Sequence, residues 1–182
     1  MKTLTITEAL AEINLLNKKI TSKEQTIMAN LSLAAHLPDP FKHDGGAQEF
    51  INKELQAVGD LQERLVRIRA AIAHANLENT ITLGEQTRSI FDWLTWRREV
   101  SQKQVGFLRE VVRTVKEHQD KEMRSPSCYK LEEDGVEKVK IVKFLYPVDY
   151  AVNLKKQEKL NDILEELDGK LSLKNATITV EV

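Results

Sequence analysis

With 182 residues, a formal net charge of −1 and 30% charged residues, the chain has the size of one domain and carries neither a basic field for nucleic acid nor an acidic tail. Its one cysteine, Cys128, excludes an internal disulfide and a multi-thiolate metal site. Seven glycines and four prolines are few for a turn-rich β fold and favour long helices.

The N-terminus reads MKTLTITEALAEI. Glu8 and Glu12 interrupt what would be the apolar core of a signal peptide, and no apolar run approaches the roughly 18 residues of a membrane span. A cytoplasmic protein is expected. Thr5 and Glu8 fit a capping box, in which the Thr oxygen takes an orphan N–H and the Glu reaches back. Behind it Ile6, Leu10, Ile13, Ile20, Ile27 and Leu31 keep a seven-residue rhythm, with Asn17 and Glu24 on the same seam. Such a seam suits a coiled coil whose register Asn17 sets, or an imperfect helix of an intramolecular bundle with a wet edge.

Pro38, Pro40, Gly45 and Gly46 mark the following stretch as a non-helical connection. His36, Asp39, His43 and Asp44 lie in it, but their spacing matches no zinc or calcium template, so a solvated loop is expected. A second helix is predicted from about Ala47 to Ala75. Ile51, Leu55 and Val58 begin its stripe and Leu61, Leu65, Ile68, Ile72 and Ala75 continue it. Gly59 falls inside, at a cost of about 1 kcal/mol relative to Ala.

Asn76 to Gly84 reads as a compact turn, since Asn76 and Asn79 suit helix ends. Thr82 with Glu85 fits a second capping box, which starts a third helix near Glu85 and carries it to about Lys121. The short link favours an antiparallel pair of the two long helices. Ile90, Leu94, Val105, Leu108, Val112 and Val115 line the third helix. Arg97 and Ser101 fall where that seam should continue, so Arg97 is expected on a buried face, where it needs a carboxylate, a carbonyl, water or a ligand.

Ser125-Pro126-Ser127 stops the helix. Tyr129 to Glu132 and Val136 to Tyr146, joined by Asp134-Gly135, read as a β-hairpin ended by Pro147. A last helix is predicted over about Tyr150 to Leu171, with Leu160, Leu164, Leu167 and Leu171 on one stripe. Asn175 to Val182 alternates apolar and polar residues, as in a half-buried strand. An isolated hairpin is marginal, so this tail is expected to supply it with a third strand, from the same chain or a neighbour. The predicted fold is mainly α (α+β), with about four helices in an antiparallel bundle or coiled-coil arrangement. It forms one domain, 1–182, with a helical core at 5–121, a hairpin at 128–146 and a C-terminal helix and strand at 150–182.

This order resembles a family of small bacterial helical proteins described as septicolysin-like. Leu4 to Leu10, LTITEAL, is similar to its opening Leu-x-Glu-Ala-Leu helix. Ile72, Asn76, Gly84, Leu94 and Arg97 stand at places comparable to its central motif, turn and following helix. Ala73 replaces the first Asn of that motif and Ala75 its Thr. Val148-Asp149 and Leu167-Asp168 are similar to its closing pairs. The family name implies a cytolysin, but no long hairpin of alternating apolar residues suited to a membrane barrel is present, and pore formation is not expected.

No phosphate loop, dinucleotide fingerprint, His-Glu-x-x-His or Gly-x-Ser-x-Gly appears. Neither an enzyme, a cofactor, a metal site nor a membrane partner is expected. The leading expectation is a non-catalytic, self-associating helical interaction or scaffold protein, with itself or another protein as partner. The alternative is a binder of a small phosphate-bearing, nucleotide-type ligand near the turn, with Asn76, Arg88, Trp93, Trp96, Arg97 and Arg98 as candidates. Indole rings stack on bases, and guanidinium forks bind phosphates. Arg64, Arg67 and Arg69 add a local basic stretch, but near-neutral charge argues against a nucleic-acid partner.

Overall fold

Why the N-terminal helix starts where it does follows from four residues. The Thr5 hydroxyl accepts from the Glu8 N–H at 3.2 Å, and Glu8 Oε2 accepts from the Thr5 N–H at 2.8 Å. Two otherwise orphaned donors are thereby satisfied, as the capping-box reading predicts. The computed structural model describes residues 2–34, 38–133 and 136–182. His36 and the Asp134-Gly135 turn lie outside these described residues.

The elements are β1 (Thr3–Thr5), α1 (Ile6–Ala29), α2 (Ala47–Glu78), β2 (Thr80–Leu83), β3 (Gln86–Ser89) and α3 (Ile90–Trp96). After a π-helical turn at Arg97–Ser101 come α4 (Gln102–Arg124), β4 (Cys128–Glu133), β5 (Val136–Ile141), α5 (Tyr150–Thr177) and β6 (Thr179–Glu181). The fold is mainly α with small antiparallel strand pairs. It divides into two compact units, residues 1–81, 87–91 and 170–182 in the first and residues 82–86 and 92–169 in the second.

In the first unit α1 and α2 run antiparallel. Lys23 late in α1 bonds Glu54 early in α2 at 2.7 and 2.9 Å, and Glu12 early in α1 accepts from Arg64 Nε, late in α2, at 2.6 Å. The partner the structure gives α2 in this unit is therefore α1, not the helix that follows the turn. Ile6, Ala9, Ile13 and Leu16 of α1 bury one face with Ile68 and Ala75 of α2. Three-four spacing puts those α1 residues on one side. The heptad seam resolves accordingly: Ile6, Ile13 and Ile27 are buried within the chain, while Leu10, Asn17, Glu24 and Leu31 are exposed.

The first and last strands close this unit. β1 pairs antiparallel with β6, Leu4 opposite Val180, and backbone bonds between Lys2 and Val182 and from Ile6 to Ile178 extend the ladder. Leu4 and Val180 join the core. The tail thus pairs with the N-terminal strand and not with the hairpin, and it is shorter than predicted because α5 continues to Thr177. Ahead of α2, Asp39 accepts from the Phe41 and Ala47 N–H groups, both at 2.8 Å, and Phe41 stacks on Phe50. Asp39 therefore works as a cap. Among the described residues no group of three metal-ligating side chains occurs.

The region around Gly84 departs from prediction. Thr82 and Glu85 do not start a helix: Thr80–Leu83 and Gln86–Ser89 are paired strands, and Gly84 has φ 56° in the turn between them. The β-branched run Thr80-Ile81-Thr82 favours extended backbone, and alternation buries Ile81 and Leu83. The helix begins five residues later, at Ile90, whose N–H donates to the Asn79 carbonyl at 2.8 Å. Asn79 itself ends α2, its Nδ2 bonding the Ala75 carbonyl.

In the second unit, the π-helical turn separates α3 from α4. Ser101, on the predicted seam, is fully buried, its hydroxyl donating to the Arg97 carbonyl at 2.7 Å. Arg97 itself lies at the surface. The hairpin strands pair with Cys128 opposite Ile141 and Lys130 opposite Val139. β5 ends at Ile141, earlier than predicted; beyond it the Val142 N–H still donates to the Ser127 carbonyl at 2.7 Å. The next segment leaves Leu145 94% exposed, while Tyr146 donates to Glu122 on α4 at 2.8 Å. Asp149 caps α5, accepting from the Ala151 and Val152 N–H groups.

The Thr5 N–H and hydroxyl hold the Glu8 carboxyl below the usual carboxylate range. A depressed folded value contributes stability that is present above the unfolded value and lost as pH falls through the folded one. Thermal melts between pH 3 and 6 should therefore show a steeper acid loss for the parent than for Glu8→Gln, which keeps the reciprocal bond without the charge.

Candidate functional site

The residues predicted to bind an anion separate into distinct environments. Asn76, in the last turn of α2, is 9% exposed, and its Oδ1 is buried without a hydrogen-bond partner. Arg88 is exposed on β3. Trp93 is buried and Trp96 half-buried, and their rings meet edge to face with centroids 5.6 Å apart, a favourable aromatic geometry. Asn76 and Arg88 belong to the first unit, and the two tryptophans with Arg97 and Arg98 to the second.

Arg97 finds a carboxylate, but not in the core. Its guanidinium forks onto Asp168 of α5 at 2.8 and 3.2 Å, with both side chains about half exposed. This corrects the expectation of a buried arginine: the guanidinium meets its carboxylate at the surface, where both charges keep part of their hydration. Arg98 bonds its neighbour Glu99 at 2.7 Å. Both guanidinium groups are thus engaged, and an incoming anion would have to displace a carboxylate. The basic stretch is similarly occupied, Arg64 by Glu12 and Arg67 by Glu63.

An exposed bidentate pair contributes little, about 0.2–1 kcal/mol. Arg97→Leu should therefore keep the fold and lower stability by no more than about 1 kcal/mol, read as the urea midpoint of the variant against the parent. A loss of several kcal/mol would place this pair in a desolvated network.

A better-formed concavity lies in the first unit. An open groove of about 640 Å³ runs along α1 beside β1 and α2. Leu4, Ala11, Leu15, Leu16 and Leu61 supply apolar walls, and Lys2, Glu8, Glu12, Lys19 and Arg64 supply charge. Leu15 is 58% exposed. Glu12, held by Arg64, also lies 3.9 Å from the Lys2 ammonium. Lys19 has no carboxylate at ion-pair distance among the described residues. Sequence reasoning missed this groove. Ala11 and Leu15 stand four apart, off the Ile6–Ile13 stripe, and that second spacing was the available signal.

The groove holds carboxylates, ammonium groups and aliphatic side chains. Such a surface can recognise an amphipathic partner with both signs of charge. No family of proteins, no curated protein and no solved structure matches this chain. No helix among the described residues is long and apolar enough to cross a membrane.

Proposed function

We propose that this protein is a non-catalytic, self-associating helical interaction protein. One observation carries the reading: α1 and α2 bury one face against each other and leave Leu10, Leu15, Leu55 and Val66 exposed outside that face. Large aliphatic side chains on both helices of a pair provide a surface for further helices. Sedimentation velocity across micromolar concentrations tests it. The expected result is a rise in mean sedimentation coefficient with concentration, and a strictly monomeric particle throughout would overturn it.

A second reading, a small ligand held at the end of α2, is favoured by the buried, unpartnered Oδ1 of Asn76. A ligand there must donate a hydrogen bond, since an unsatisfied buried acceptor costs about 1–3 kcal/mol. A nucleobase edge carries such donors. A thermal-shift screen with nucleosides and nucleotides tests it, because a ligand of the native state raises the melting temperature. No shift with any of them would sink it.

A further inference from the structure

The groove along α1 is lined by Glu8, Ala11, Glu12, Leu15, Leu16 and Lys19 of that helix. The steps between them are three, one, three, one and three residues, so the ladder reads the same from either end. Two copies laid antiparallel about a two-fold axis between Ile13 and Asn14 bring position 8 opposite 19, 11 opposite 16 and 12 opposite 15. The chemistry of those pairs is complementary. Glu8 faces the unpaired Lys19 of the other copy, twice. Leu16 stays buried in the core of its own chain, and the exposed Leu15 covers Glu12, whose charge Arg64 already balances. A parallel arrangement would set Glu8 against Glu8 and Lys19 against Lys19, which repel.

From this self-complementarity we infer that the occupant of the groove is the α1 helix of a second copy, packed antiparallel across a two-fold axis. The inference rests on the self-association reading above and names its surface, orientation and charge pairing. Such a contact is isologous: each copy offers the same patch, and the assembly closes as a dimer. Glu8 and Lys19 are about 16 Å apart along the helix, so the two charge pairs bracket the apolar middle of the contact. Both lie at the rim, where salt screens them, and the dissociation constant should rise with ionic strength.

The test is sedimentation equilibrium on the full chain, with melting curves to confirm that each variant folds. Leu15→Glu places a charge against Glu12 of the other copy and is expected to weaken association roughly tenfold or more. Lys19→Glu sets a carboxylate against Glu8 and should weaken it comparably. Adding Glu8→Gln to Lys19→Glu removes that repulsion while keeping the Thr5 cap, so part of the lost association should return. Both Leu15 and Lys19 are exposed, which keeps these changes off the core. If the parent associates and neither single variant weakens it, the groove assignment is wrong and self-association stands on another surface. If both weaken it but the double variant recovers nothing, the antiparallel register is wrong. A parent that remains monomeric at every concentration overturns this inference and the self-association reading together, and points to a different occupant.

Discussion

Deleting residues 178–182 should cost the first unit several kcal/mol. The deletion strips β6 from β1, and with it Val180, which is buried, and Ile178 and Val182, which are half-buried against the same core. Burying one such side chain is worth about 1.5–3 kcal/mol when complete, so one full and two partial burials sum to roughly 3–6 kcal/mol. That is a large part of the about 5–15 kcal/mol typical of a domain. Urea denaturation should show a much lower midpoint for the truncated chain, and hydrogen exchange should show α1 and α2 amides losing protection together. Thr179→Ala, at an exposed position of the same strand, should shift stability by no more than about 0.5 kcal/mol. Unchanged protection in the truncated chain would mean that α1 and α2 form a sufficient core by themselves.

Ile68→Ala should have a comparable effect from the opposite side of that core. Ile68 is fully buried among Leu4, Ile6, Ala9, Ile13 and Leu16, with α2 residues around it. Large-to-small changes at such sites cost about 2–5 kcal/mol, because the transfer loss adds to the cavity left behind. Val66, two residues earlier on the same helix, is exposed, and Val66→Ala should change stability by less than about 0.5 kcal/mol. Urea midpoints of the two variants measure the difference. Equal effects would mean that α2 does not present the Ile68 face to α1. Where the groove contact forms, the Val66 comparison is made below the association range, so that mass action does not enter.

What could be read from the residues alone divides by the range of the interaction. The start of α1 was legible because a capping box is complete within four residues, Thr5 to Glu8. So were the helix stripes, whose period is a local property. The β2–β3 hairpin was not, because Thr82, Gly84 and Glu85 satisfy two local patterns at once. Burial of Ile81 and Leu83 on alternate positions decides for strand, and that burial comes from the rest of the fold. Arg97 was placed in the core by counting a uniform helical period from Ile90 to Val115. The count places Ser101 and Val105 correctly, both buried, but it is blind to Asp168, far along the chain, which gives the guanidinium a partner at the surface. The partner of the C-terminal strand was not legible for a related reason. Alternation in 178–182 specifies a strand, but its edge mate is set by which other short strand lies near, and Thr3–Thr5 is too short to show a period of its own. The groove was hidden because its shape depends on α2 covering one side of α1 and leaving the other open.

The pairing of β1 with β6 also fixes an order of events in time. The core built on α1 and α2 takes its last strand from residues 179–181, so on a growing chain it stays unfinished until those residues have been made. Everything between, including the whole second unit, is synthesised first. Closing a ladder over on the order of 170 residues costs about 2–3 kcal/mol more loop entropy than closing a ten-residue hairpin, and contacts so distant along the chain slow folding. During that interval Leu4 lacks Val180 opposite it and Ile6 lacks the Ile178 carbonyl, and the apolar face of the first helix is at its most vulnerable to wrong partners.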